Sequence, residues 1–107
     1  MAESERRRGP RAEVEFFAVE IGGNGRYYRL VRNLSEEGLF FETPPDWTHD
    51  EDEPVVLLVP PSPETLAEPI EMIGTVVHTD DHGVGLKLVR VPDCARAWIR
   101  RLILGNA

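Results

Sequence analysis

The chain holds a single cysteine, Cys94, among 107 residues. It can therefore form no internal disulfide, and one thiol cannot by itself hold a zinc ion. No apolar run approaches the roughly 18 residues needed to span a bilayer, so membrane insertion is not expected. The opening residues Met1-Ala2-Glu3-Ser4-Glu5-Arg6 lead into charge, unlike a secretory signal. These absences together predict a cytoplasmic protein. Positive charge is also scarce. A net charge of −7 argues against non-specific binding to duplex nucleic acid, which needs a basic surface. Aromatic content of only 7% counts against a small barrel that stacks single-stranded bases. No nucleophile has a base partner or a nucleophile-elbow context, so no catalytic set is visible and a non-enzyme is expected.

What is present describes one small domain. The 41% hydrophobic and 29% charged content is ordinary for a globular chain, and the length suits a single core. The charge is unevenly spread. Residues 1–12 carry Arg6, Arg7, Arg8 and Arg11 against Glu3 and Glu5, while the remaining chain carries 8 basic and 17 acidic side chains. A basic arm on an acidic body suits a small anionic ligand, or else a solvated tail that touches its own domain.

Gly9-Pro10 interrupts any helix in residues 1–12, which read as an irregular, flexible arm. Residues 13–104 then read as one domain. A first strand is predicted from Val14 to Ile21, and Gly22-Gly23-Asn24-Gly25 supplies a hairpin turn. Further strands are predicted over Arg26–Asn33, Leu39–Glu42, Val55–Val59, Pro69–His78 and Val84–Val89, with Gly74 as a bulge or bend. Six strands with hairpin-scale turns suggest an antiparallel barrel or sandwich. Asp93 is placed to cap a C-terminal helix whose apolar stripe is Cys94, Trp98, Ile99, Leu102 and Ile103. The loop over 43–53 contains an acidic run, Asp50–Glu53, which reads as a solvated rim; Trp47 within it either packs over the barrel or meets a partner. His78, Asp80, Asp81 and His82 read as solvated turn residues rather than metal ligands.

Between the second and third strands lies a polar corner, Asn33-Leu34-Ser35-Glu36-Glu37-Gly38. A period of two would put Asn33 and Ser35 on one face, side by side, with Leu34 pointing into the core. Gly38 marks either a positive φ or a close approach. The corner is also consistent with a plain Ser/Asn turn.

Three patterns stand in order: Arg7-Arg8-Gly9-Pro10-Arg11 reads R-x-x-x-R, the corner reads N-x-S-x-x-G, and Gly83-Val84-Gly85-Leu86-Lys87-Leu88 reads G-x-G-hydrophobic-x-hydrophobic. In this order, ahead of a C-terminal helix, they resemble the PilZ domain over about Arg6 to Leu104. The resemblance implies a six-stranded antiparallel PilZ-type β-barrel with a C-terminal helix and no room for a second domain. It implies a receptor for the bacterial second messenger cyclic di-GMP, often bound as an intercalated dimer, with no other cofactor and no metal. By carry-over Arg7 and Arg11 grip guanine edges and phosphates, with Arg8 beside them. Asn33 and Ser35 contact the ligand from the outer surface, and Gly38 leaves room for it. Here the first corner position is Asn rather than Asp; its amide oxygen can still accept from a guanine N–H but lacks a carboxylate's charge. Output would pass to an effector protein that reads the remade surface. The family also contains barrels that do not bind the nucleotide, so an interaction adaptor using the C-terminal helix or the Trp47 loop is the alternative.

Overall fold

The computed structural model describes residues 12–22, 25–45, 47–60 and 69–105. Six strands, β1 (Ala12–Gly22), β2 (Gly25–Leu34), β3 (Gly38–Glu42), β4 (Pro54–Val59), β5 (Ile70–Thr79) and β6 (Gly83–Arg90), precede one helix, α1 (Asp93–Gly105). The strands form a closed barrel in the order β1-β2-β3-β6-β5-β4, and every neighbouring pair is antiparallel. Of the two architectures the turn spacing allowed, the barrel is the one adopted. The arm with Arg6, Arg7, Arg8 and Arg11 lies outside the described residues.

Alternation fills the barrel. Val55, Leu57 and Val59 of β4 and Ile70, Met72 and Val76 of β5 point inward and are almost fully buried. Register shifts interrupt the alternation where the wall must bend: between Glu13 and Phe16, between Val31 and Asn33, and between Ile73 and Gly74. The last of these is the bend predicted at Gly74. The glycine is needed there because a Cβ would lie 2.8 Å from the Lys87 carbonyl oxygen.

The two ends of the barrel are closed by different chemistry. At the end holding the start of β1 and the β2–β3 corner, α1 lays Ala95, Trp98, Ile99 and Ile103 onto the core. The Trp98 ring meets Phe16 edge-on at 5.2 Å. Cys94 is exposed, contrary to its predicted place on the buried stripe. Ala95, one position on, packs instead, because the docked helix is rotated so that its stripe begins there.

At the opposite end, which we call the hairpin end, the plug is ionic. Glu20 and Arg29 take inward positions in phase with buried Ala18 and Val31. The Glu20 carboxylate accepts from Arg29 Nε at 2.7 Å through one oxygen and pairs with His49 Nε2 at 2.7 Å through the other. All three side chains are less than a tenth exposed. Trp47 covers the Arg29 guanidinium at 4.7 Å and meets Tyr27 edge-on at 4.5 Å. Of the two roles open to Trp47, packing over the barrel is the one observed. The 43–53 loop is thus clasped to the barrel through His49 and Trp47.

At the β5–β6 turn, Asp80 Oδ1 accepts from the His82 and Gly83 amides, and His78 Nε2 lies 3.0 Å from Oδ2. These bonds, the His82 amide first, hold its carboxyl below the usual carboxylate range.

Removing one member of a buried ion pair strands the other without water. Glu20→Ala is therefore expected to destabilise the fold by about 3–5 kcal/mol, a loss of melting temperature on the order of 15 °C or more in a domain of this size. Replacing both partners, as Glu20→Met with Arg29→Met, should cost less than the single change, because the Arg29 guanidinium is no longer left buried without its carboxylate, while His49 loses Glu20 in both variants. Thermal unfolding followed by circular dichroism checks the order. A double variant less stable than the single one would contradict it.

Candidate functional site

The corner between β2 and β3 is built by its own hydrogen bonds. The Ser35 amide donates to the Gly38 carbonyl at 2.8 Å. The Ser35 hydroxyl oxygen accepts from the Glu37 and Gly38 amides at 3.2 and 3.1 Å, and it lies 3.3 Å from the Gly38 carbonyl oxygen. Serine suits this position because its short side chain can satisfy backbone donors that a two-residue turn leaves over. The Glu37 carbonyl in turn accepts from the Leu88 amide of β6 at 2.8 Å, so the corner is tied to the strand beside it.

This geometry revises one expectation. Asn33 and Ser35 were to be displayed side by side, but Ser35 is only 3% exposed and its hydroxyl is turned into the corner. The turn's donors claim it. Asn33 is half-buried, and Leu34 between them is fully buried as predicted. The close approach anticipated at Gly38 is also found, though what approaches is protein. A Cβ there would stand 2.5 Å from the Leu86 carbonyl oxygen of β6. Gly38 thus lets β3 and β6 pair at the start of the strand.

Register brings the start of β1 to this corner. Ala12 pairs with Leu34 and Glu13 with Asn33. Ala12, the residue that follows the R-x-x-x-R segment in sequence, is thus the described residue that meets the N-x-S-x-x-G segment. Helix α1 borders the same end, where Arg100 Nε meets a Glu36 carboxylate oxygen at 3.1 Å.

Charge is unevenly distributed along the barrel axis. Asp50, Glu51, Asp52 and Glu53 lie in the loop at the hairpin end, and Asp80 and Asp81 in the β5–β6 turn there. Lys87, Arg90, Arg96, Arg100 and Arg101 belong to the last part of β6 and to α1, at the corner end. The corner end also carries Glu13, Glu36, Glu37, Glu71 and Asp93, so its charges are mixed while the hairpin-end loop and turn are acidic. Sequence reasoning missed the Glu20–Arg29–His49 cluster. Its signal was a glutamate and an arginine at like-facing positions of paired strands.

A family model described as the PilZ domain matches residues 5–105. Among solved structures, the chain is similar to the Bacillus subtilis inhibitor of motility (MotI/DgrA), with a TM-score of 0.77 at 15% identity. That match covers 94% of this chain and 51% of the other, so the chain spans about half the length of that protein. It is also similar to the PilZ domain of CeSA from a cellulose-synthesizing bacterium, with a TM-score of 0.66 at 11% identity. Here 89% of this chain and 95% of the other are covered. At these identities the structural likeness concerns the fold. No curated protein sequence matches the chain.

Ser35→Ala removes the acceptor of two turn amides and is expected to lower stability by about 1–2 kcal/mol without any ligand present. Gly38→Ala forces β6 aside and should cost about 1–3 kcal/mol. Urea unfolding would show both as lower midpoints with unchanged slopes. A wild-type midpoint in Ser35→Ala would mean that the hydroxyl does not build the corner.

Proposed function

The chain belongs to the PilZ domain family, whose members are binding and regulatory domains rather than enzymes, and from that membership we propose that it is a cytoplasmic cyclic di-GMP receptor. The observation that supports this reading is the register of β1 against β2, which pairs Ala12, the residue after the R-x-x-x-R segment, with Leu34 and Glu13 with Asn33. In this reading Arg7 and Arg11 bind guanine edges and phosphates. A guanidinium donates two parallel hydrogen bonds to guanine O6 and N7, or to two phosphate oxygens, and it stacks on a base. Arg8 lies beside them. Asn33 offers its amide oxygen to a guanine N–H, while Ser35 and Gly38 shape the ground on which the ligand rests.

Binding draws the arm onto the barrel and so remakes the surface around α1 and the corner. A partner protein senses the nucleotide if it binds the closed and open forms with different affinity. The ordering of the arm consumes part of the binding energy. An intercalated nucleotide dimer would let the several arginines each meet a different phosphate or base.

Calorimetric titration of the full chain with cyclic di-GMP at physiological salt tests the proposal. Wild type is expected to bind at micromolar affinity or tighter. Arg7→Ala/Arg11→Ala should lose binding at an unchanged melting temperature, and Asn33→Ala should weaken it. A ligand-to-protein ratio near two would identify the intercalated dimer. Absence of heat at several temperatures, with no ligand-induced rise in melting temperature, would overturn the reading in favour of an adaptor that ignores the nucleotide.

A further inference from the structure

The corner presents an electrostatic difficulty to an anionic ligand. Glu13, Glu36 and Glu37 stand at it, and two nearby arginines are already committed. Arg100 is held by Glu36 at 3.1 Å, and Arg32 by Glu15 and Glu42 at 3.5 and 3.4 Å. Lys87 is different. It is exposed on the outer face of β6, since its neighbours in alternation Val84 and Leu86 are buried. It forms no ion pair among the described residues. Across the ladder it pairs with Gly38, the last residue of the N-x-S-x-x-G segment, and on its other side with Thr75 of β5. Directly opposed residues of antiparallel strands have Cα atoms about 4.5–5.5 Å apart. Gly38 has no side chain to stand between the lysine and the corner.

The next outward position along β6 is Gly85, about 7 Å from Lys87. A glycine inside a strand weakens it and marks a bulge or a close approach. At Gly38, Gly74 and Gly83 the fold itself explains the glycine, because a Cβ would press on the carbonyl oxygens of Leu86, Lys87 and Phe41. Gly85 has no such reason. A Cβ there would stand 3.5 Å from the His78 Cβ and 3.9 Å from the His78 carbonyl oxygen, both ordinary contacts, and its φ is not positive. The irregularity beside it lies in β5, between Val76 and His78, so it places no demand on β6. Phe40 pairs with Gly85 but leaves it bare. The ring leans towards Gly83, with Cζ 2.8 Å from where a Cβ would stand there, and does not come within 4 Å of the Cβ position at Gly85. An uncommitted cation and a strand glycine that packing does not require thus lie together on the outer face, one ladder pair from the corner.

We propose that the ligand site extends from the corner across β3 onto the outer face of β6, where Lys87 binds a phosphate of the nucleotide and Gly85 leaves room for the sugar beside it. This rests on the receptor reading and adds two residues to its site. An ammonium offers a phosphate a compact charge with three donors. It also offsets the corner carboxylates, which an anion resting on Gly38 would otherwise meet.

Calorimetric titration of full-chain variants with cyclic di-GMP, paired with thermal unfolding, tests this. Lys87→Ala should raise Kd by about tenfold or more, as the loss of a charge-assisted hydrogen bond does. Lys87→Arg should stay within about threefold of wild type, because a guanidinium also binds phosphate. Gly85→Ala should raise Kd by about tenfold by intruding on the ligand. Its melting temperature should be no lower than that of wild type, in contrast to Gly38→Ala. Arg26→Ala removes one positive charge at the hairpin end and should leave Kd unchanged, which separates contact from net charge. A wild type that does not bind overturns the receptor reading and this extension with it. Wild-type binding with an unchanged Kd in Lys87→Ala or in Gly85→Ala overturns the extension alone. Equal weakening by Arg26→Ala overturns the Lys87 contact, and a less stable Gly85→Ala overturns the premise that packing leaves the glycine unexplained.

Discussion

Closure of the ladder by β1 is the constraint from which the rest of the molecule follows. β1 pairs with β2 along most of its length and with β4 through Val19, Glu20 and Ile21, so no sheet edge is left open. Once the ring is shut, inside and outside are fixed for every strand, and the two ends of the barrel become separate problems. Each needs a lid. Helix α1 solves one with Trp98 and Ile99, and the 43–53 loop solves the other with His49 and Trp47. The same ring sets the start of β1 against the end of β2, which brings two segments twenty residues apart in sequence to one corner.

The ionic lid is the costlier solution. A carboxylate and a guanidinium lose their hydration inside the barrel, and they hold only because the geometry satisfies most of their bonding capacity. Here Glu20 is bonded through both oxygens, yet Arg29 Nη2 and His49 Nδ1 have no hydrogen-bond partner among the described residues. An aliphatic plug would have been more forgiving. What the ionic one adds is direction: Glu20 accepts one loop histidine at one distance, so the loop has a defined seat rather than a greasy surface on which to slide.

The sequence revealed much of this architecture because its punctuation is local. Gly22 and Gly25 flank the first hairpin, prolines bound the Val55–Val59 run, and Asp80 to Gly83 turn the chain back. The corner was legible too, down to the burial of Leu34. Less legible was anything decided by which face turns inward. In β1 both alternating sets contain apolar residues, Val14-Phe16-Ala18 in one and Phe17-Val19-Ile21 in the other, so period alone does not say that Glu20 points in. His49 sits in an irregular loop with no period to read. The direction of the Ser35 hydroxyl and the exposure of Cys94 escape the pattern for a related reason. The hydroxyl's direction is chosen by the amides of its own turn, and the helix's rotation is chosen by how Trp98 meets Phe16.

The placement of the two indoles has an optical consequence. Trp98 lies in the apolar contact under α1, almost fully buried, while Trp47 is half-buried against a guanidinium at the other mouth of the barrel. Each therefore emits from a distinct dielectric surrounding, and each reads one mouth. With the other tryptophan replaced by phenylalanine, either residue becomes a single-site lamp, able to tell whether the barrel loosens first at its helical lid or at its ionic one.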